Sequence, residues 1–375
     1  MILTRDFVLA FLAQVTFTIT FHILVPTLPI YLSRSGSTEV EIGILIGIFG
    51  ISALIFRPFV GRGLLKIPEK NFMIAGASLF VLTSLGYLFA PPFWPFLMVR
   101  IIQGVGLAFF YTASFTLIAN ISPEIYRGES LSYFYLAQNI SLILAPSLGM
   151  VIINHFGFTF LFFVCLGVSL SSLWIVIQLK RRQIVQVKDS AVGDRFFFNW
   201  KALPPSIISF FVYIVWAALM AFFPLFAIQN GVPNPGLFFT AIAAVLILGR
   251  SLGGKILDLY SRERMILILL AICVISMIIL SFSRNLPMFI LVGVIYGIGT
   301  AFLHPALMAY TLDQAGTARA TAIGTLTAFS DLGMSIGPVI MGIVVRLTNY
   351  PMMFLCLAFI GVINLCYFQF LARKS

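Results

Sequence analysis

The chain has 375 residues, of which 61% are hydrophobic and only 9% charged, against about 25% charged in soluble domains. No water-soluble core can hide that much apolar surface, so the composition excludes a soluble enzyme or binding module and requires an integral membrane protein. The formal net charge of +11 would by itself suit nucleic acid, but its placement along the chain points to membrane topology and to no nucleic-acid partner.

Lipid offers backbone N–H and C=O groups no partner, so the spans are helices or a closed barrel. The apolar runs here are too long and too unalternating for barrel strands. Twelve helices are predicted, near residues 6–30, 40–60, 71–90, 94–119, 130–153, 158–179, 204–227, 236–256, 265–283, 287–311, 321–345 and 351–371. The first follows Arg5 and Asp6 without a small-residue cleavage site, so it reads as a retained helix and not a signal peptide. It carries Gln14, Thr18 and His22 at a spacing of four, which puts them on one helical face.

Helix two bears Gly43, Gly47 and Gly50 and runs into a basic loop from Arg57 to Lys70 that includes Gly61, Arg62 and Lys66. On helix four, Arg100 lies about 9 Å beyond Trp94, followed by Gln103 and Tyr111. Arg100 either snorkels to the outer interface or serves the interior. Helix five holds Asn139 and Pro146. The long connection from Lys180 to Leu203 carries six basic residues and reads as a linker between two six-helix bundles, 1–179 and 204–375. Its Phe196–Trp200 segment is either an interfacial aromatic anchor or the early start of helix seven.

Helix seven presents Tyr213, Trp216, Met220 and Phe223 at helical spacing, a pattern that packing alone also produces. A second basic stretch, Arg250 to Arg264, contains Gly254, Lys255, Asp258 and Arg262. Helix ten repeats the spacing of helix one with Tyr296, Thr300 and His304. A lone membrane histidine such as His22 or His304 is either a packing hydrogen-bonder or a functional group. Asp331 lies near the middle of helix eleven. Ionisable groups at that depth cost a few kcal/mol unless they face a cavity or a partner, so it is either a titrating proton site or a structural acid. The four cysteines all fall inside apolar runs as small hydrophobes. No zinc-type spacing, catalytic signature or phosphate-cradling motif occurs, so neither metal nor cofactor is expected.

The chain also matches itself. A shift of 193 positions carries Arg57, Gly61 and Arg62 onto Arg250, Gly254 and Lys255, and Gly104, Gly106 and Ala108 onto Gly297, Gly299 and Ala301. A shift of 192 carries Asn139 onto Asp331 and Pro146 onto Pro338. Matches in separated blocks at nearly one offset indicate a half-length unit used twice. With the amino terminus inside, almost all basic residues fall on the cytoplasmic side and only Arg34, Arg284 and Arg346 face out, which puts both termini in the cytoplasm.

Three stretches resemble the major facilitator superfamily (MFS) of transporters. The Gly61–Lys70 loop and its second copy Gly254-Lys255-Ile256-Leu257-Asp258 with Arg262 are similar to the family's Gly-x-x-x-Asp-Arg-x-Gly-Arg loop. Arg100-Ile101-Ile102-Gln103-Gly104-Val105-Gly106 resembles its Arg-x-x-Gln-Gly-x-Gly. Gly333-Met334-Ser335-Ile336-Gly337-Pro338 resembles the Gly-Pro helix of antiporter members, of which helix five keeps only Ala145-Pro146. The resemblance implies an all-α membrane fold of two pseudo-symmetric six-helix bundles with helices one, four, seven and ten lining a central cavity. It implies a cytoplasmic gate at Arg57, Gly61, Arg62, Arg250, Gly254, Lys255, Asp258 and Arg262, although Leu65 replaces the family's acid in the first copy and only Asp258 keeps it.

On that basis the chain is expected to be an efflux-like secondary transporter of the plasma (inner) membrane, a monomer and not an enzyme. It would bring about proton-coupled export of an amphipathic small molecule by alternating access. Import or facilitation of a sugar or organic acid, and lipid flipping, are the alternatives. Substrate contacts are expected from Gln14, Thr18, His22, Arg100, Gln103, Tyr111, Asn139, Tyr213, Trp216, Tyr296, Thr300 and His304, with Asp331 as the proton-coupling candidate.

Overall fold

The structure is a computed structural model that describes residues 4–91, 93–123, 126–180, 199–259, 262–315 and 319–372, with the side chains of 127–128, 250–259, 315, 319–320 and 371–372 outside the description. Every long element among the described residues is an α-helix. In order these are α1 Arg5–Arg34, α2 Glu39–Gly63, α3 Glu69–Phe89 and α4 Trp94–Ile121. The run Arg127–Ile177 forms α5 (127–156) and α6 (158–177). Then come α7 Leu203–Gln229, α8 Gly236–Leu259, α9 Arg262–Phe282, α10 Leu286–Ala315, α11 Arg319–Leu347 and α12 Tyr350–Ala372.

Gly157 makes one helical run into two spans. Its φ of 82° and ψ of 177° lie where only glycine sits without strain. Before it, Ser141 meets Thr18 and His22 while Gly149 meets Ile23 and Thr27, so α5 climbs alongside α1. After it, Phe158 lies by Arg34 while Ser169 meets Thr20 and Ser172 meets Ala13, so α6 descends. The chain therefore reverses at Gly157, so the described residues contain twelve α-helices.

Local chemistry sets the helix ends. Thr38 and Glu41 form a capping box at the start of α2: Glu41 Oε2 accepts the Thr38 N–H at 2.7 Å, and Thr38 Oγ1 accepts the Glu41 N–H at 3.3 Å. Lys70 Nζ donates to the carbonyl of Ile177 at 2.6 Å and also to that of Leu179, satisfying orphan acceptors at the end of α6. Pro26 and Pro29 do not end α1, which continues to Arg34, beyond the predicted boundary. Asn199 caps a short 3-10 turn, Trp200–Ala202, by accepting the Lys201 N–H at 3.0 Å. The end of the aromatic segment thus leads into α7 through that turn, while Phe196–Phe198 and most of the linker lie outside the described residues.

The chain divides into two compact units, Met1–Ser37 with Ile48–Lys188 and Thr38–Gly47 with Asp189–Ser375. The short segment Thr38–Gly47 thus places the start of α2 with the second unit. There a Cβ on Gly43 would run into the Pro338 carbonyl, and one on Gly342 into the Glu39 carbonyl. Lipid is as apolar as leucine, so close packing and dispersion, not transfer out of water, hold such helices together. The first unit packs Phe17 between Phe110, stacked at 3.9 Å, and Phe80 at 4.0 Å. The second packs Phe223 on Phe238 at 3.9 Å, with Phe289 edge-on at 5.2 Å. Phe223, read from spacing as part of a helix-seven stripe with Tyr213 and Trp216, is thus a core residue.

Candidate functional site

In the first unit the predicted α1 stripe exists and is buried. Gln14 is 0% exposed and His22 5%. Thr18 Oγ1 donates to the Gln14 carbonyl at 2.7 Å, Ser141 Oγ on α5 donates to Thr18 Oγ1 at 2.8 Å, and His22 Nδ1 lies 2.9 Å from Ser141 Oγ. Ser141 Oγ, which also lies 2.9 Å from the Gln138 carbonyl, thus links α5 to both Thr18 and His22 on α1 whichever imidazole tautomer is present. Ser114 Oγ on α4 donates to Gln14 Oε1 at 3.0 Å, which ties three helices into one polar seam. Asn139 Nδ2 is buried without a hydrogen-bond partner among the described residues.

Arg100 and Gln103 form a second cluster on α4. Arg100 is 4% exposed and does not reach outward. Its Nη1 donates to Gln103 Oε1 at 2.6 Å and approaches Tyr87 OH at 3.4 Å, and its guanidinium lies 4.6 Å from the Phe49 ring centroid. Tyr87 OH donates to the same Gln103 oxygen. Arginine is donor-only, so the oxygen of Gln103 must face it and the amide nitrogen points away, buried and unpartnered. A planar cation braced on an aromatic face and an amide is held in one orientation. Tyr111, half-buried, stacks obliquely on Phe115 at 5.6 Å.

In the second unit Tyr213 OH lies 3.4 Å from His304 Nδ1 with the rings edge-on, and Trp216 stacks on Tyr296 at 6.0 Å and 11°. Predicted residues of α7 and α10 therefore meet in pairs. Thr300 Oγ1 turns back to the Tyr296 carbonyl at 2.9 Å. Asp331 is half-buried on α11, its carbonyl accepting from Ser335 Oγ at 2.7 Å, and its neighbour Ser330 shares a 2.6 Å hydrogen bond with Ser209 on α7.

At the basic loops, Gly61 and Arg62 are exposed and Arg57 is half-buried. Arg262 pairs with Asp313 at the end of α10, an acid that sequence spacing did not single out. The side chains of Arg250, Lys255 and Asp258, and the position of Gly254, lie in the stretch whose side chains are not described, so the expected gate role of Asp258 falls outside the described side chains. Sequence reasoning also missed Ser141, Ser114 and Tyr87. Ser141 carried a signal, because the 192-residue shift lays it on Gly333.

A polytopic membrane protein built from two copies of one helical unit, each with polar groups buried at helix contacts, is the architecture of a secondary transporter. Residues 10–233 and 205–374 match the Major Facilitator Superfamily, to which the chain belongs. It is 26% identical over 345 residues to the staphylopine export protein of Staphylococcus aureus (strain Mu50 / ATCC 700699), covering 85% of this chain and 84% of that one. It is 25% identical over 329 residues to the quinolone resistance protein NorA of Staphylococcus aureus (strain MSSA476), with coverage of 85% and 84%. Among solved structures the nucleoside transporter NupG shares the fold at a TM-score of 0.81 and 13% identity, over 98% of each chain. The protein is accordingly a multi-pass membrane transporter and not an enzyme, and its relatives imply a small-molecule substrate.

Proposed function

We propose that this protein exports an amphipathic small molecule across the plasma membrane by proton-coupled alternating access, with both termini in the cytoplasm. The observation that supports it most is the seam of Gln14, Thr18, His22, Ser114 and Ser141. In the second unit the equivalent helix pair keeps one polar contact, Ser209 to Ser330, but the positions matching Thr18, His22 and Ser141 carry no polar side chain: a Cβ on Gly333 would meet the Phe210 backbone, and one on Gly337 the Ile214 backbone. Phe210 and Ile214 are the 192-shift counterparts of Thr18 and His22. Packing alone therefore does not require polar groups at these three positions, and burying them in hydrocarbon is costly. Substrate recognition is the role that justifies them.

Aromatic pairs and few charges among the candidate residues suit an amphipathic solute, and the export direction follows the staphylopine export protein. Asp331 is the proposed proton site, because its first-unit counterpart is the untitratable Asn139.

The test is uptake into proteoliposomes under an imposed pH gradient, with amphipathic dyes beside sugars and organic acids. Dyes should accumulate against their gradient, and Asp331→Asn should abolish accumulation while sparing downhill exchange. Undiminished accumulation by Asp331→Asn removes the proton assignment. Transport of the sugar or organic acid alone removes the substrate assignment.

A further inference from the structure

Tyr296 and Asn364 are each 1% exposed, and each keeps one polar atom, the Tyr296 hydroxyl and Asn364 Oδ1, without a hydrogen-bond partner among the described residues. Both residues line one cavity of about 20 Å³ within the second unit, whose other walls include Val215, Leu270, Val274, Met277 and Leu357. The orientation of the Asn364 amide is fixed, because its Nδ2 donates to the Ile208 carbonyl at 3.1 Å, a contact that an oxygen there would turn into repulsion. Its Oδ1 is therefore an acceptor. The tyrosine ring is fixed independently by its stack on Trp216, and its hydroxyl is the matching donor.

We infer that this cavity is a hydration site that holds a single water molecule, accepting from the Tyr296 hydroxyl and donating to Asn364 Oδ1. Size suits the guest: a water needs about 10–15 Å³, so the cavity has room for one. Chemistry selects it too, since a group that both accepts and donates is required between a donor and an acceptor in an otherwise apolar wall. A buried polar group left unmatched in hydrocarbon is costly, and one water satisfies two of them. The water joins α10 to α12, and Asn364 carries the link on to α7 through Ile208. The water thus adds a polar tie to helices of which α7 and α10 already meet through Tyr213 and His304.

The sign of a single substitution tests this. In the purified full-length protein, Tyr296→Phe keeps the ring and the Trp216 stack and removes only the hydroxyl. If water bridges the pair, Tyr296→Phe lowers the melting temperature by about 2–4 °C, because the water loses a partner. If the cavity is dry, the same change removes an unmatched hydroxyl and raises the melting temperature. Asn364→Leu also loses the bond to Ile208, so alone it does not discriminate. In the double variant the loss should be smaller than the sum of the two single losses, because both remove the same bridge. Strict additivity overturns the shared water. A density map that resolves ordered waters should show one peak between the two atoms, and an empty cavity there overturns the proposal directly.

Discussion

Gly104 and Gly297 occupy equivalent places in the two units. A Cβ on Gly104 would collide with the Phe49 carbonyl and the Ser52 hydroxyl, and one on Gly297 would lie 3.3 Å from the Ile242 carbonyl and 3.0 Å from Val245 Cβ. The partners are themselves related by the 193-residue shift, Phe49 to Ile242 and Ser52 to Val245. Gly106 and Gly299 behave alike, meeting the carbonyls of Gly76 at 3.1 Å and of Leu269 at 3.3 Å. The duplication seen in sequence is thus preserved in helix contacts, where small residues let backbones approach.

The two glycines should nonetheless respond differently to alanine. At Gly104 the obstacle is backbone, which has no rotamer to escape into, so Gly104→Ala should destabilise by about 3 kcal/mol, the upper end for overpacking. At Gly297 the contacts are looser and one is a valine side chain, so Gly297→Ala should cost about 1 kcal/mol or less. Thermal unfolding of the two variants in one detergent checks the order. Equal losses would show that the tighter first-unit contact relaxes freely.

Ser141 is the middle of the relay between His22 and Thr18. Ser141→Ala leaves both ends buried without that partner, so it should destabilise by about 1–3 kcal/mol and reduce transport. Ser141→Gly imitates the second unit's Gly333 but not its apolar Phe210 and Ile214, so it should be no better. Restoring the match with Thr18→Phe, His22→Ile and Ser141→Gly together should recover stability while leaving transport lost. Thermal unfolding alongside dye transport separates these outcomes, and full transport by the triple variant would show the seam to be structural only.

The seam also shows what the sequence could and could not reveal. Spacing by four placed Gln14, Thr18 and His22 on one face correctly, because helical geometry alone dictates it. It did not reveal Ser141 or Ser114, since side chains that complete a network come from other helices at distances along the chain that periodicity does not encode. Asn364 was overlooked although a lone amide in a membrane helix calls for a partner. Phe223 shared a helical stripe with Tyr213 and Trp216, but the aromatic core of the second unit claimed it. The helices were legible because lipid leaves the backbone one local solution, whereas the joining of the α2 start to the second unit depends on contacts with Pro338 and Ser335 far along the chain.

Arg100 is held by shape as much as by charge. Arg100→Lys keeps the cation but loses the planar fork that reaches Gln103 and lies over Phe49. It should therefore behave much like Arg100→Gln in transport, each falling at least tenfold, with about 1–3 kcal/mol lost in stability as Gln103 Oε1 and Tyr87 lose their charged partner. Near-normal transport by the lysine variant would reduce the requirement to positive charge alone.

At the start of α2, two kinds of contact join Thr38–Gly47 to α11, and they differ in strength. Arg346 and Glu39 approach only to 3.9 Å, with the arginine 61% exposed. Such a pair is worth about 0–1 kcal/mol, so Arg346→Ala should leave thermal unfolding almost unchanged. Gly43 and Gly47 instead face the backbone of Pro338 and Ser335, and a methyl group there has to push two helices apart. Gly43→Ala should cost about 1–3 kcal/mol and speed hydrogen exchange in residues 38–47 and in the facing part of α11, leaving the rest of the second unit protected. If Arg346→Ala proves the more damaging change, the ionic contact and not the glycine packing holds this segment.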